Sequence, residues 1–389
     1  MSFFCLLLIN IIRVVLGGII LKYELSNWIE VSLSNLENNI KEIRRIIPSK
    51  TNIIAVVKSN AYGHSSVLIA KKLMTLGIDF FAVNSIDEGI ELRKNNIKGN
   101  ILILGYTDLL NLENVIKYDL IQTIVDYDYF LKIKKLKLKN KLKCHLKINT
   151  GMNRMGVNFN DFKRLDKIYR CRKINVLGIY SHLSVSDSED EMDILFTKNQ
   201  IRHFDECVNY LKNRYDIGIV HLQNSYGVVN YSYLKYDYVR IGIIMYGVNS
   251  CNDSFMRTQL NLKSVLSLKS RVVSIRKIKK GESIGYGRSY VADKDMRIGV
   301  VPIGYFNGID RRLSNNLTVR VGKYIVKVVG RICMNQLMID ISDTLNIKVG
   351  DIVCLIDENL KVENIAGMLD SISYEVLSRL NVNAIKTLD

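Results

Sequence analysis

The chain has no Cys-x-x-Cys pair, no Gly-x-Gly-x-x-Gly after an early strand, no internal repeat and no low-complexity linker. Its seven cysteines (Cys5, Cys144, Cys171, Cys207, Cys251, Cys333 and Cys354) are odd in number and far apart. That pattern excludes a zinc site and fits reduced thiols in a cytoplasmic protein. Proline occurs only twice, whereas lysine, isoleucine and asparagine are used heavily. The net charge of +17 is scattered, and apart from a lysine-rich stretch at Lys132–Lys143 there is no basic module. The charge therefore reads as lysine usage, not as a nucleic-acid surface.

Met1–Leu21 is almost wholly apolar but carries Asn10, Arg13 and Gly17-Gly18. It lacks the leading positive charge and the small-residue cleavage site of a signal peptide. An arginine near the centre of a spanning helix costs roughly 2.5–3.5 kcal/mol on insertion scales. Three readings stay open for residues 1–22: a marginal membrane anchor, the remnant of a longer membrane region, or an upstream start with little function.

What the chain has in quantity is strand–helix alternation. Short apolar runs occur at Ile53–Lys58, Phe80–Val83, Ile101–Gly105, Gln122–Val125, His145–Ile148, Leu177–His182, Ile219–Gln223 and Val239–Tyr246. Between several of them lie amphipathic stretches such as Ser65–Leu76 and Asp87–Asn95. About eight such repeats predict a (β/α)8 barrel over residues 23–260, with a doubly wound sheet as runner-up. After about Leu260 the pattern becomes β-rich, at Val265–Ile278, Met296–Ile303, Leu317–Val329, Leu337–Ile341 and Asp351–Ile356. Residues 261–389 are therefore expected to form a mostly-β domain.

A barrel places its active site beyond the C-terminal ends of its strands. In this chain those positions hold Lys58 and Tyr62, Lys147 and Arg154, His182, Asn224-Ser225, and Arg240 with Gly242. A strand-end lysine, partly desolvated, has a lowered pKa and can form a Schiff base with a carbonyl. Each residue also has a plainer reading. Lys58 fits a snorkelling lysine, His182 a satisfied core histidine, Arg240 a partner of a structural carboxylate, Gly242 strand packing, and Ser225 a helix cap. Their coincidence at strand ends favours a site that binds an anion, with free backbone N–H groups after Asn224 suited to phosphate.

Ala55–His64, His145–Gly156, Tyr180–Leu183, Asn224-Ser225, Arg240–Gly247, Gly285-Tyr-Gly287, Pro302–Tyr305 and Gly330–Met334 together resemble the motifs of the alanine racemases, in order and at family spacing. The likeness covers roughly residues 27–385. It implies a fold-type III pyridoxal-phosphate enzyme that acts as a head-to-tail homodimer on a small amino acid. By family pattern Lys58 carries the cofactor and takes the proton of the D-enantiomer. Tyr286 of the partner subunit takes that of the L-enantiomer. His182 and Arg240 link Tyr286 to the cofactor, and Arg240 faces its pyridine nitrogen. Tyr62, Ser225, Gly242, Ile243 and Tyr374 match phosphate-holding positions, with Asn224 beside them. Arg154 and the backbone of Met334 match the substrate-carboxylate site. Lys147 matches a lysine that is often carbamylated. Arg331, Asp187, Tyr305, Arg311 and Ile372 match the access corridor.

Three positions usually acidic in that family are amides here, Asn149, Asn307 and Asn335, and Ile241 replaces a proline. Ser184–Ser188, Gln223–Gly227 and Glu375–Leu380 are closer to the vancomycin-resistance type serine/alanine racemases, which carry a membrane domain ahead of the racemase. Those tend to have asparagine where this chain has Tyr374, so alanine is the expected substrate and serine the alternative. A non-catalytic pyridoxal-phosphate-binding barrel has no second domain. A barrel-plus-β-domain decarboxylase carries a cysteine-bearing loop that is not found here.

Overall fold

A computed structural model describes residues 13–16, 19–22, 25–250 and 255–388. The chain folds as two compact units. The larger comprises Val31–Ser267, Asp357–Leu380 and Thr387–Asp389, the smaller Met1–Glu30, Leu268–Ile356 and Asn381–Lys386.

Eight parallel strands close the larger unit into a barrel: Asn52–Val56, Phe80–Val83, Asn100–Ile103, Ile121–Ile124, Leu142–Asn149, Ile174–Tyr180, Ile219–His221 and Tyr238–Ile241. The last pairs back onto the first, Tyr238 against Asn52 and Ile241 against Ala55. Phe80–Val83 and Ile121–Ile124 are buried along their whole length. Strands covered by helices outside and packed side chains inside read as unbroken apolar runs. The expected (β/α)8 barrel is present, followed by a mostly-β unit. Ser66–Thr75 and Ile86–Lys94 form the helices anticipated near those positions. A reciprocal Ser85–Glu88 capping box starts the second of them.

The β-rich region contains a six-stranded sheet in the order Tyr324–Lys327, Thr318–Val321, Ile352–Ile356, Leu266–Arg271, Asn27–Ser32, Ile385–Leu388. An antiparallel three-stranded sheet, Ser274–Ile278, Met296–Val301 and Leu337–Asp340, lies in the smaller unit. There too a small hairpin pairs Ser283–Ile284 with Tyr290–Val291 and carries Tyr286 at its turn. Ile284, Ile298, Val329 and Met338 pack into one core cluster beneath it.

A single cut near residue 260 does not describe this division. Asn27–Glu30 joins the β unit because Trp28 and Ile29 are buried there and the Ile29 N–H donates to Ala384 at 2.9 Å. Asp357–Leu380 returns to the barrel unit, where the Ser373 N–H donates to Ser250 at 2.8 Å. Several strands also stop short of the ends of their apolar runs. The first ends at Val56, and the last ends at Ile241 and passes through Gly242 into a tight turn, Ile243–Tyr246. The readings of Met1–Leu21 lie outside the described residues, save that Arg13–Leu16 and Ile19–Lys22 pair as antiparallel strands. Among the described residues no helix is long and apolar enough to cross a membrane. Cys5 and Cys251 also lie outside them, and the other five cysteines form no disulfide.

Candidate active site

The Val57 N–H still donates to Ala82 at 2.9 Å, and there the strand ladder ends. Lys58 then opens a turn in which Ser59, Asn60, Ala61 and Tyr62 all take left-handed angles, φ 52–53°. None is glycine, and this conformation costs an L-residue roughly 1–2 kcal/mol. Local bonds hold it in place. Glu88 accepts from the Ser59 N–H at 2.5 Å, and Asn60 Oδ1 accepts from the Ser66 N–H at 2.9 Å. His64 Nδ1 donates to the carbonyls of Ala61 (2.8 Å) and Tyr62 (3.0 Å). Gly63 follows at φ +85°, and a Cβ there would lie 3.0 Å from the Leu377 carbonyl oxygen. Strain of this kind concentrates at functional sites.

The turn delivers Lys58 and Tyr62 to a cleft of about 580 Å³ at the strand ends. The same cleft is lined by Lys147, Arg154, His182, Asn224, Ser225, Arg240, Gly242, Ile243, Ile372 and Tyr374. Asp187 is not among them, and its carboxylate accepts from the Ser250 hydroxyl at 3.0 Å.

Four cations therefore share one cleft, and among the described residues none of them forms an ion pair. Arg240 is buried, yet its partners are the carbonyls of Ser181 (2.7 Å), Leu222 (2.9 Å) and His221 (3.2 Å). It also donates to two ring nitrogens, His221 Nδ1 at 2.8 Å and His182 Nδ1 at 3.2 Å. A structural carboxylate partner for Arg240 is thus not found. Burial lowers the Arg240 guanidinium to about 10. Burial also pushes the Lys58 ammonium down, with Arg154 adding and Glu88 opposing. Lys147 is pushed far down by burial, then by Arg240 and Arg154, and its Nζ sits 4.6 Å over the Tyr180 ring. His182 is held neutral by burial first and by the surrounding cations next. Taken together, the cleft favours anions and neutral amines.

At one end of the cleft Asn224, and not Ser225, caps the helix Ser225–Asn230, accepting from the Gly227 N–H at 2.8 Å. This leaves the Ser225 hydroxyl to accept from the Gly242 N–H at 3.1 Å. Tyr62 is wedged edge-on between Tyr246 and Tyr374, at 5.2 and 5.7 Å. A Cβ on Gly242 would come within 3.0 Å of the Tyr62 hydroxyl. Hydroxyls, a glycine kept bare and nearby cations form a cradle that fits a phosphate ester.

Tyr286, Tyr305, Arg331 and Met334 belong to the smaller unit. Tyr286, Tyr305 and Met334 are exposed. A Cβ on Gly287 would lie 3.4 Å from the Arg331 guanidinium carbon, and the Tyr305 N–H donates to the Cys333 carbonyl at 3.0 Å.

The family profile described as alanine racemase, N-terminal domain, matches residues 31–250, and that for the C-terminal domain matches residues 265–387. The chain belongs to the alanine racemase family. It is 40% identical over 355 residues to an amino-acid racemase of Enterococcus faecalis, covering 90% of this chain and 49% of that protein. It is 40% identical over 317 residues to a serine/alanine racemase of Enterococcus gallinarum, covering 80% and 45%. The chain thus spans about half the length of these curated relatives. Among solved structures, the alanine racemase of Clostridium difficile 630 matches with a TM-score of 0.88 at 32% identity, over 94% of this chain and 97% of that one.

Within this racemase fold, two of the three amide positions have a local explanation. Asn149 Oδ1 accepts from the N–H groups of Gly151 (3.2 Å) and Asn153 (3.0 Å), and its amide donates to Asn153 and Asn158. Asn307 accepts from the Gly304 N–H at 3.2 Å and donates to the Asn381 carbonyl at 3.3 Å. A carboxylate could make the acceptances but not the donations. Nothing in the structure explains Asn335. The reading of strand ends passed over Glu88, His64, Tyr180, His145 and His221. A histidine inside an apolar strand is a buried polar group that needs a partner, and that signal was present in the sequence.

Proposed function

We propose that this chain is a pyridoxal-phosphate-dependent racemase that interconverts L- and D-alanine by two opposed bases and supplies D-alanine for peptidoglycan. The observation that carries this reading is the cleft with four cations and no carboxylate partner, closed at one end by Ser225, Gly242 and Tyr62. When bound, pyridoxal phosphate supplies the electron sink that acidifies the amino acid Cα–H.

The chain's own residues divide the remaining work. Lys58, with its amine pushed toward neutrality, would hold the cofactor aldehyde carbon and move the Cα proton on one face. Tyr286 of the partner subunit serves the other face in a head-to-tail homodimer. A phenol with a pKa near 10 is a weak base at neutral pH and needs help to lose its proton. His182 has its Nδ1 committed to Arg240, so only its Nε2–H remains to donate, and the partner's Tyr286 oxygen is the acceptor proposed for it. Arg240, donor-only, would give no proton to the pyridine nitrogen of a bound cofactor, which would favour racemisation over transamination. Arg154 and the Met334 backbone hold the substrate carboxylate. Lys147, its ammonium pushed far down by burial, is when deprotonated a nucleophile for carbon dioxide, and its carbamate would brace Arg154. Tyr305, Arg331 and Asp187 border the approach to the site. The reduced thiols fit a cytoplasmic setting.

Two substitutions test the site. Gly242→Ala is expected to weaken pyridoxal-phosphate affinity by about tenfold, about 1.4 kcal/mol, because the new methyl crowds the Tyr62 hydroxyl. Fluorescence titration reads this, and unchanged affinity places the phosphate elsewhere. The second substitution concerns the substrate. Tyr374 leaves room for a methyl group and crowds a hydroxymethyl one, so alanine is preferred, with serine/alanine racemisation the second reading. An apolar pocket rejects an added hydroxyl by roughly 10²-fold. Tyr374→Asn should raise the serine-to-alanine ratio of kcat/KM toward parity, measured by chiral chromatography, and an unmoved ratio refutes this pocket assignment.

A further inference from the structure

We propose that His145 is a positioning residue which, through His221, fixes the direction in which Arg240 donates its hydrogen bonds in the cleft. The relay is a property of the chain itself. Its effect on turnover rests on the racemase reading given above.

The direction follows from the donor inventory. A guanidinium has five N–H donors and no acceptor. Its Nη1 lies 2.8 Å from His221 Nδ1, so that nitrogen must offer a lone pair. His221 is fully buried, and burial first and Arg240 second hold it neutral. A neutral ring with a bare Nδ1 carries its proton on Nε2. That Nε2 lies 3.0 Å from His145 Nδ1, so His145 accepts in turn. His145 is also buried and is pushed down to about 3 by burial and then by Arg240. Its own proton is therefore on Nε2 as well. Protons point one way, from Arg240 to His221 to His145. With a proton on His145 Nδ1, two N–H groups would face each other. His221 could relieve that only by turning an N–H against Arg240.

The barrel interior is shaped around this pair. Gly178 stands opposite His145 in the strand register, next to an irregularity at Val176/Gly178. A Cβ on Gly178 would lie 2.9 Å from His145 Nε2 and Cε1, so glycine leaves the space that the ring fills. Tyr180 stacks on His221 at 4.8 Å and 5°. Its hydroxyl donates to Thr123 Oγ1 at 2.9 Å, whose proton goes to the Ile103 carbonyl at 2.7 Å. Phe80 packs edge-on against His145 at 5.8 Å. Among the described residues no carboxylate aligns Arg240, so carbonyls and two imidazoles set its plane, and only the imidazoles can reverse their polarity.

The test is nitrogen-15 NMR of the full chain loaded with pyridoxal phosphate, in which five histidines keep the spectrum tractable. Imidazole shifts should place the proton on Nε2 in His145, His182 and His221, and on Nδ1 in His64. His145→Leu should release the fixed tautomer of His221 and lower kcat by about tenfold with KM within about twofold, a misalignment effect. His145→Asn puts an oxygen near the Nδ1 position and should restore both readouts. A wild-type spectrum with Nδ1–H on His145 or His221 overturns the proposal. So does His145→Leu with an unmoved His221 signal and wild-type kcat. If His145→Leu fails to fold, the wild-type spectrum and the Asn variant decide alone. The expected tautomers in a chain without racemase activity would instead refute the functional reading and leave the relay standing.

Discussion

Replacing Lys58 with alanine is expected to abolish alanine racemisation in both directions and to remove the visible absorbance of the bound cofactor. In the proposed reaction Lys58 does two things, anchoring the aldehyde and moving a proton. General acid–base help alone is worth 10²–10⁴-fold, so losing it together with the anchor should exceed about 10⁴-fold. The fold should survive, because the left-handed turn is held by other groups. Glu88 binds the Ser59 N–H, Asn60 binds the Ser66 N–H, and His64 binds the Ala61 and Tyr62 carbonyls. Removing one cation from beside Arg154 also relieves repulsion. Circular dichroism with an unchanged unfolding temperature separates a chemical loss from a folding loss. Retained absorbance and turnover would show that another amine carries the cofactor.

Tyr286→Phe is expected to slow net interconversion by roughly 10²–10⁴-fold, the span of one positioned proton-transfer group. Both directions must fall together, since the equilibrium constant between enantiomers is one. Proton exchange need not fall equally. Lys58, the proposed base for D-alanine, is unchanged, so D-alanine should continue to exchange with solvent while keeping its configuration, and L-alanine should not. Absorbance of the bound cofactor should persist, in contrast to Lys58→Ala. The two variants together test the shared site. If the second base comes from the partner subunit, one site of a mixed dimer loses both bases and the other keeps both. Random exchange of subunits in a two-fold dimer makes half the dimers mixed, so about a quarter of wild-type activity should return. No recovery on mixing would place both bases on one chain.

The barrel was readable because its strands are buried on both faces, and Phe80–Val83 has no polar residue to blur the pattern. Lys58 and His182 stand out because each ends an apolar run with a group that burial penalises, and Arg240 because it is a charge inside one. The left-handed turn after Lys58 was not readable, since Ser59, Asn60, Ala61 and Tyr62 give no glycine signal there. The conformation is imposed by Glu88 and His64 through contacts that arise only in the fold. The division of the units was equally hidden. Asn27–Ser32 joins the sheet containing Leu266–Arg271, more than two hundred residues later, and local patterning carries no trace of such a pairing. His145 and His221 sit in apolar runs, and neither run specifies the partners found in the fold, His221 for His145, and both His145 and Arg240 for His221.

The most direct test of the account is solvent deuterium incorporation at Cα by the full chain loaded with pyridoxal phosphate, offered L-alanine and D-alanine separately. Both enantiomers should gain deuterium while optical rotation decays to zero from either side. Alanine recovered without deuterium and with unchanged configuration from both reactions would contradict it.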